Sequence, residues 1–525
     1  MSKETRSSDT AGGGLSLAVD PRQPLHREGG ERSLVDQAFS RAAGARRIAG
    51  NSVRLLRDAT ENYPAWLDAI SAAERYVCFE NYIIRDDASG RRLAEALVAR
   101  ARAGVSVRLL YDWLGALGKT PGRYWESLRG AGVEVRVFNP FRPWRPMGWI
   151  QRNHRKSVVV DGEVGFITGL CVGDEWVGDP AHGIAPWRDT GIEVRGPAVA
   201  EIERAFRRMW GLTGPPMPDG GSRSSEPSAV GDVAMRVVAS EPNSAELLRL
   251  DQLIAAAARE TLWLSDAYYA GLPSHAQALR AAARDGVDVR LLVPGATDLP
   301  LVQPLSRAGY RSLLEAGVRV FEWNGPMLHS KTAVADEQWA RVGSSNLNVA
   351  SWLANYELDA IVEDLDFARS MAKQYLEDLT NATEVLLRVR GRRTRSVPRS
   401  EPGVASRSRP RARRGGSGGR VAVGALRLGN TVTAAVTSHR ALASQDAGIV
   451  AAAGVAAIVL AAAAAIWPHL LAIPFAVLVG WMGVALLAKA IRLRGESDRT
   501  RVAPKASEEQ AEDVAVPPSD ADVKP

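Results

Sequence analysis

The sequence predicts an α/β protein of two similar lobes, each a mixed sheet flanked by helices, with one active site where the lobes meet. Three observations predict it. The first is a pattern that occurs twice. His154, Lys156 and Asp161 stand in HRKSVVVD, and His329, Lys331 and Asp336 stand in HSKTAVAD, so both read H-x-K-x-x-x-x-D. The chain has 525 residues and only 7 histidines, which makes two in one frame informative. The second is the duplicated surroundings. RRLAEALVARARAGVSVRLLYD (Arg91 to Asp112) is matched by HAQALRAAARDGVDVRLLVPG (His275 to Gly295), each an amphipathic helix, a glycine turn and an apolar strand. The third is that each lobe brings one His and one Lys, so neither holds a complete acid–base pair alone.

Along the chain, residues 1–51 are rich in Gly, Ser and charge and have no apolar run, so they are expected to be a disordered tail without a signal peptide. The first lobe is expected over 52–215. It opens with a strand at RYVCFENYII from Arg75, then the helix and strand of the repeat. SLRGAGVEVRVFN (Ser127 to Asn139) adds another helix end and strand before the first motif. A linker over 216–235 leads to the second lobe, 236–387. There TLWLSDAYYA from Thr261 and SLLEAGVRVFEW (Ser312 to Trp323) repeat the order β-α-β-α-β-HxK-β. In an extended segment residues i and i+2 share a face, so each His and its Lys project together. Two such pairs suit a phosphate. The lysines hold anionic oxygens, one imidazole attacks phosphorus, and the other protonates the leaving oxygen.

Here the chain resembles the phospholipase D superfamily, and within it the bacterial cardiolipin synthases, over roughly Ser52 to Leu387. Gly343-Ser344-Ser345-Asn346 is similar to the G-S-x-N that follows the family's second motif. DGEVGFITGLCVGDEW and WRDTGIEVRGPAV are similar to segments around its first. The resemblance implies a phosphatidyltransferase that works through a phosphohistidine, with His154 attacking and His329 as acid and base. It implies catalytic roles within His154, Lys156, Asp161, His329, Lys331 and Asp336. By their position Asp161 and Asp336 read as structural partners and not as bases, since a carboxylate beside the phosphate would repel it. The resemblance also implies phosphate contacts from Ser344 and Asn346, and imidazole-orienting acids at Asp189 and Glu357. Cys171 stands where the family has Asn, which implies one polar contact fewer in the first half-site. The implied substrates are phospholipids, phosphatidylglycerol first and phosphatidylethanolamine second, with no nucleic acid. A phospholipase D-type phosphodiesterase or nuclease is the alternative.

No thiol–carboxylate cluster, Walker loop or dinucleotide fingerprint occurs, so no metal and no cofactor is expected. Cys78 and Cys171 are the only cysteines and suit a reducing compartment. Phe141, Trp144, Met147, Trp149 and Ile150 alternate with Arg142, Arg145 and Arg152 ahead of the first motif. This pattern fits a lipid interface, and it also fits single-stranded nucleic acid.

Beyond the lobes, 388–430 is dense in Arg, Pro, Ser and Gly and is expected to be a flexible basic linker against an anionic membrane surface. Within 431–495, Ala447–Trp467 and Leu470–Ala488 contain no Asp, Glu, Lys or Arg. Each approaches the ~20 residues that cross a bilayer. A transmembrane helical hairpin follows, and basic residues on both flanks place the catalytic lobes on the cytoplasmic side of the inner membrane. A disordered acidic tail, 496–525, ends the chain. Deleting the chain from Arg388 is expected to release the protein from membranes while the lobes stay folded. A truncated protein that still resists alkaline extraction would place residues 447–488 in a soluble core instead.

Overall fold

The computed structural model describes residues 34–142, 151–218, 228–299, 302–387 and 480–481. The first lobe contains β1 (Ile48–Arg57), β2 (Tyr76–Asn81), β3 (Ser106–Asp112), β4 (Glu134–Phe138), β5 (Ser157–Val160), β6 (Val164–Thr168) and β7 (Thr190–Arg195). The second contains β8 (Val233–Val238), β9 (Thr261–Ser265), β10 (Asp288–Pro294), β11 (Arg319–Trp323), β12 (Thr332–Ala335), β13 (Trp339–Gly343), β14 (Asp359–Glu363) and β15 (Ala382–Val385). Strand order in the first lobe is β4-β3-β2-β5-β6-β7-β1, and in the second β11-β10-β9-β12-β13-β14-β8, with β15 outside β11. The two orders are the same strand for strand. In each lobe the crossover strands run parallel (β2, β3, β4; β9, β10, β11) and the strands after the motif run antiparallel. The sequence implied two sheets. Antiparallel pairing of β1 with β8 fuses them into one sheet of 15 strands.

The crossover helices follow from local signals. Ala88–Arg102 is capped by Asp87, whose carboxylate accepts the Gly90 N–H at 3.0 Å, and it buries Leu93 and Leu97. The chain then turns at Gly104, with φ +89°. Pro273–Arg284 carries proline in its first turn and buries Leu279 and Ala282. Two amphipathic helices, Val199–Leu212 and Leu365–Leu379, share one core with strands of both lobes through Phe206, Met209, Trp210, Phe367 and Met371. Each lobe has a second core of its own on its outer side. The shared core fixes the lobes against each other, which a site split between them requires.

Two expected boundaries move. Residues 1–51 are not all tail, because Leu34–Ala43 is a helix and β1 begins at Ile48. The helix packs on Glu246–Ala257 of the second lobe. Buried Arg236 binds Asp36 and donates to Ser40 Oγ at 2.6 Å and to the Ala45 carbonyl at 3.1 Å. The expected linker ends early as well, since β8 starts at Val233. The hairpin region 431–495 lies outside the described residues except for Gly480 and Trp481, and so do the linker 388–430 and the tail 496–525. Among the described residues no helix is long and apolar enough to cross a membrane.

Asp161 and Asp336 are corrected as catalytic candidates. Each closes the strand that follows its motif in a left-handed conformation, φ +54° and +51°. The Asp161 carboxylate accepts the backbone N–H groups of Glu74, Arg75 and Tyr76 at 2.8, 2.8 and 2.7 Å. Asp336 accepts those of Arg259, Glu260 and Thr261 at 2.9, 2.8 and 2.8 Å. Each Asp stands five positions beyond its Lys in extended chain, about 16 Å at ~3.3 Å per residue. Each acid therefore caps the start of the neighbouring strand, β2 or β9, at the end of the sheet away from the motifs. Asp161→Ala should lower stability by about 2–4 kcal/mol, since three strand-end donors lose a charged acceptor. Thermal denaturation should show the loss, while the turnover of folded enzyme changes by less than about threefold.

Candidate active site

The four groups of the site stand immediately before four strands. His154 and Lys156 precede β5, Asp189 precedes β7, His329 and Lys331 precede β12, and Glu357 precedes β14. Backbone bridges tie these approach segments together across the lobes. Asn153 pairs with Tyr356, and Arg188 pairs with Leu328. The His154 N–H donates to the Tyr356 carbonyl at 2.9 Å, and the His329 N–H to the Arg188 carbonyl at 2.7 Å.

The consequence is an exchange of partners. His154 Nδ1 lies 2.9 and 3.1 Å from the two Glu357 oxygens, and His329 Nδ1 lies 2.6 Å from Asp189 Oδ2. Each imidazole is held by the acid of the other lobe. The family resemblance implied both acids, but each follows the motif of its own lobe in the chain, so nothing in the spacing revealed the exchange. With Nδ1 donating to a carboxylate, Nε2 is the nitrogen left for substrate.

His329 is buried and His154 keeps 12% of its side chain exposed, and loss of water first of all pushes both imidazoles below their ordinary pKa. The lysines add to that push, and the carboxylates oppose it. Burial would raise Glu357 and Asp189, but His154 with Lys156 and His329 with Lys331 outweigh it and hold both acids ionised. Lys156 Nζ donates to the His154 carbonyl at 2.6 Å. Lys331 Nζ donates to the His329 carbonyl and stands 2.9 Å from His329 Nδ1. Burial pushes Lys331 down to about 8.

The two serine–asparagine candidates divide. Ser344 is fully buried, and its hydroxyl is engaged within the protein. Its hydroxyl donates to Glu357 at 2.6 Å and accepts the Leu358 N–H at 2.9 Å, so it orients the acid that holds His154. Asn346 is buried, its Oδ1 has no partner among the described residues, and its Nδ2 is the donor that a phosphate oxygen could accept from. Cys171 is buried, and its carbonyl accepts the Tyr63 hydroxyl at 2.6 Å. Arg152 is not the lipid-facing arginine of the aromatic–basic segment. It is buried and donates to Asp112 at 3.2 Å. Phe141 is 54% exposed and stacks on Trp113, while residues 143–150 of that segment lie outside the described residues.

Sequence reading missed the buried groups that brace the motifs. Glu80 accepts from Asn153 Nδ2 at 2.7 Å and from Ser157 Oγ at 3.1 Å, on both sides of His154. Asp112 accepts the Asn153 N–H at 2.9 Å. Buried Arg155 donates to the Glu357 carbonyl at 3.0 Å. Arg188 donates to Asp58 of one lobe at 3.0 Å and to Asp378 of the other at 2.8 Å. Glu80 alone gave a signal, as an acid inside the apolar run YVCFEN. Trp176, Trp187 and Tyr268 pack around His329 with ring centroids 5.7 to 5.9 Å away, and Tyr82 packs edge-on to His154 at 5.1 Å.

Two imidazoles each bound to a carboxylate, two buried lysines and an unpartnered amide brought together between repeated lobes are equipped for phosphoryl transfer. The family model for the cardiolipin synthase, phospholipase D-like domain matches residues 66–210 and 250–379, one motif in each segment. The chain belongs to this family. The cardiolipin synthase of Alkalihalophilus pseudofirmus is 32% identical over 387 residues, covering 70% of this chain and 76% of that protein. Cardiolipin synthase A of Pseudomonas aeruginosa is 37% identical over 342 residues, 64% of this chain and 69% of that one. Among solved structures, the phosphatidylserine synthase of Haemophilus influenzae shares the fold, with a TM-score of 0.53 at 12% identity over 67% of this chain and 92% of that one.

An alkaline limit follows from Lys331. Below about pH 8 its ammonium is charged and can neutralise a phosphate, and above that it is neutral. An ordinary lysine would stay charged to about pH 10. The kcat/KM profile should therefore fall with an apparent pKa near 8, and Lys331→Arg should move that limb to higher pH in whatever activity it retains.

Proposed function

We propose that the protein is a cardiolipin synthase that transfers a phosphatidyl group from one phosphatidylglycerol to the hydroxyl of a second. The observation that carries this reading is the pair of imidazoles, each bound through Nδ1 to an acid of the opposite lobe and each beside its own lysine. One Nε2 attacks phosphorus and the phosphorus–glycerol oxygen bond breaks. The other histidine, protonated at Nε2, gives its proton to the departing glycerol. A phosphatidyl-histidine remains. The now neutral second imidazole takes the proton of the acceptor's hydroxyl, and that oxygen displaces the first nitrogen. Two phosphatidylglycerols become one cardiolipin and one glycerol. His154, His329, Lys156 and Lys331 are the groups in contact with the reacting phosphate in this scheme, with Asn346 as an amide ligand. Asp189 and Glu357 orient the imidazoles and stabilise each when it carries charge.

Water as the acceptor would give phosphatidic acid, so the transferase must disfavour it. Burial of His329 and the rings of Trp176, Trp187 and Tyr268 around it support that preference. Phosphatidylethanolamine is a second candidate donor. The basic linker 388–430 and the apolar segments of 431–495 would hold the lobes at the cytoplasmic face of the inner membrane.

Lipid extracts of cardiolipin-free cells that express the protein should contain cardiolipin. His154→Ala and His329→Ala should each lower its formation by at least about a thousandfold without loss of fold. Acid-free quenching of turnover should trap phosphorus on one histidine. Accumulation of phosphatidic acid alone, or cleavage of DNA without lipid, would replace this reading with the hydrolase or nuclease one.

A further inference from the structure

The segment that enters β14 carries two acids at i and i+2, Glu357 and Asp359, and the proposed reaction uses only the first. Asp359 is fully buried. Its Oδ2 accepts the Ser345 hydroxyl, and its Oδ1 has no partner among the described residues. It lies opposite Gly343 in the β13–β14 register, and a Cβ on Gly343 would fall 2.3 Å from Asp359 Oδ1. Arg341, two residues earlier on β13 and also fully buried, donates to both oxygens of Asp251 at 2.9 and 3.0 Å. Burial pushes the Asp359 carboxyl up to about 7, and Arg341 is the first group that draws it back.

The surroundings indicate what this buried acid serves. Every residue of the Ser344–Leu347 turn is pinned. Ser344 donates to Glu357, and Ser345 donates to Asp359. The Asn346 N–H donates to Ser351 Oγ at 3.1 Å, and the Leu347 N–H to Asp266 Oδ1 at 2.7 Å. The Asn346 side chain is left over. The matching turn of the first lobe, Gly169-Leu170-Cys171-Val172, is held without a carboxylate among the described residues: the Leu170 N–H donates to Thr168 Oγ1 at 3.1 Å, and those of Gly169 and Val172 donate to the Thr190 and Ile83 carbonyls at 3.0 Å. Gly169 stands where Ser344 stands, and a Cβ there would lie 2.2 Å from Asp189 Oδ1. Leu170 replaces Ser345.

We propose that Ser345 and Asp359 are a positioning pair that sets the Asn346 amide at the substrate phosphate, so that the amide contact to the phosphate comes from the second lobe alone. Arg341 and Asp251 behind them balance the buried charge. The pair never touches substrate. This inference rests on the reading of Asn346 as a phosphate ligand.

The test is a double-mutant cycle on the full-length protein with phosphatidylglycerol in mixed micelles. Asn346→Ala should be impaired. Ser345→Ala should lose about tenfold in kcat/KM, and Ser345→Ala added to Asn346→Ala should cost less than about twofold more, because the hydroxyl acts through the amide. The isosteric Asp359→Asn should show the same loss and the same non-additivity, and it carries the test if the serine variant does not fold. Equal losses with and without Asn346 would overturn the pair, as would an unimpaired Ser345→Ala or Asp359→Asn beside an impaired Asn346→Ala. An Asn346→Ala enzyme with unchanged activity would remove the phosphate role, and the positioning role with it.

Discussion

The cross-lobe bond between imidazole and carboxylate is the constraint on which the rest depends. Glu357 can reach His154, and Asp189 can reach His329, only if the segment before β14 lies along the segment before β5 and the segment before β7 lies along that before β12. The backbone bridges at Asn153–Tyr356 and Arg188–Leu328 meet that requirement. Separating the lobes would leave two buried carboxylates and two imidazoles unpaired at once. Breaking one such buried pair costs about 3–5 kcal/mol. The lobes are therefore not two domains that share a site. Neither has a finished histidine without the other, and the shared core of Phe206, Trp210 and Phe367 makes that dependence permanent.

The same constraint explains the density of buried charge. Two lysines in a closed site would be strongly disfavoured without counter-charges. Glu357 and Asp189 supply one layer, since the lysines help to hold both ionised. A second layer stands behind them, with Glu80 near Lys156 and Asp266 near Lys331. These inner acids are paired with donors of the motif segments and of the G-S-S-N turn. One set of groups thus balances charge and fixes geometry together. It leaves the lysines with positive charge to spend on a phosphate, because part of each carboxylate's capacity is already bound to histidine, serine or backbone.

Much of this was legible in the chain. The repeated motif located both His–Lys pairs, and the helix–turn–strand repeats located the crossovers. Asp189 and Glu357 were identified as orienting acids. What was not legible depends on three-dimensional exchange. Nothing in WRDTG says that its aspartate faces the other lobe's histidine. The serine of G-S-S-N looks like a phosphate ligand until Glu357 is seen beside it. Asp161 and Asp336 share the motif's frame and read as structural partners, but what they hold was not legible. Their left-handed backbone and three accepted N–H groups show that the motif also encodes a strand-end cap. The N-terminal boundary was missed because Leu34–Ala43 is stabilised by Arg236, two hundred residues away.

Repetition also explains where the lobes are free to differ. The strand order, the caps and the His–Lys pairs are the same in both halves because the sheet and the chemistry require each twice. The acid-bearing turns are not. Gly169 admits no side chain because Asp189 fills its space, whereas Ser344 hydrogen-bonds Glu357. Aromatic rings crowd His329 on three sides and His154 on one. A reaction in which one histidine takes the phosphatidyl group and the other moves the protons needs both imidazoles held in place, but its two alcohols differ: one leaves as a small polyol and the other arrives on a lipid. Two equivalent half-sites could not tell them apart. The differences in turn and ring between the halves are the features through which a symmetric scaffold can give its two histidines unequal tasks.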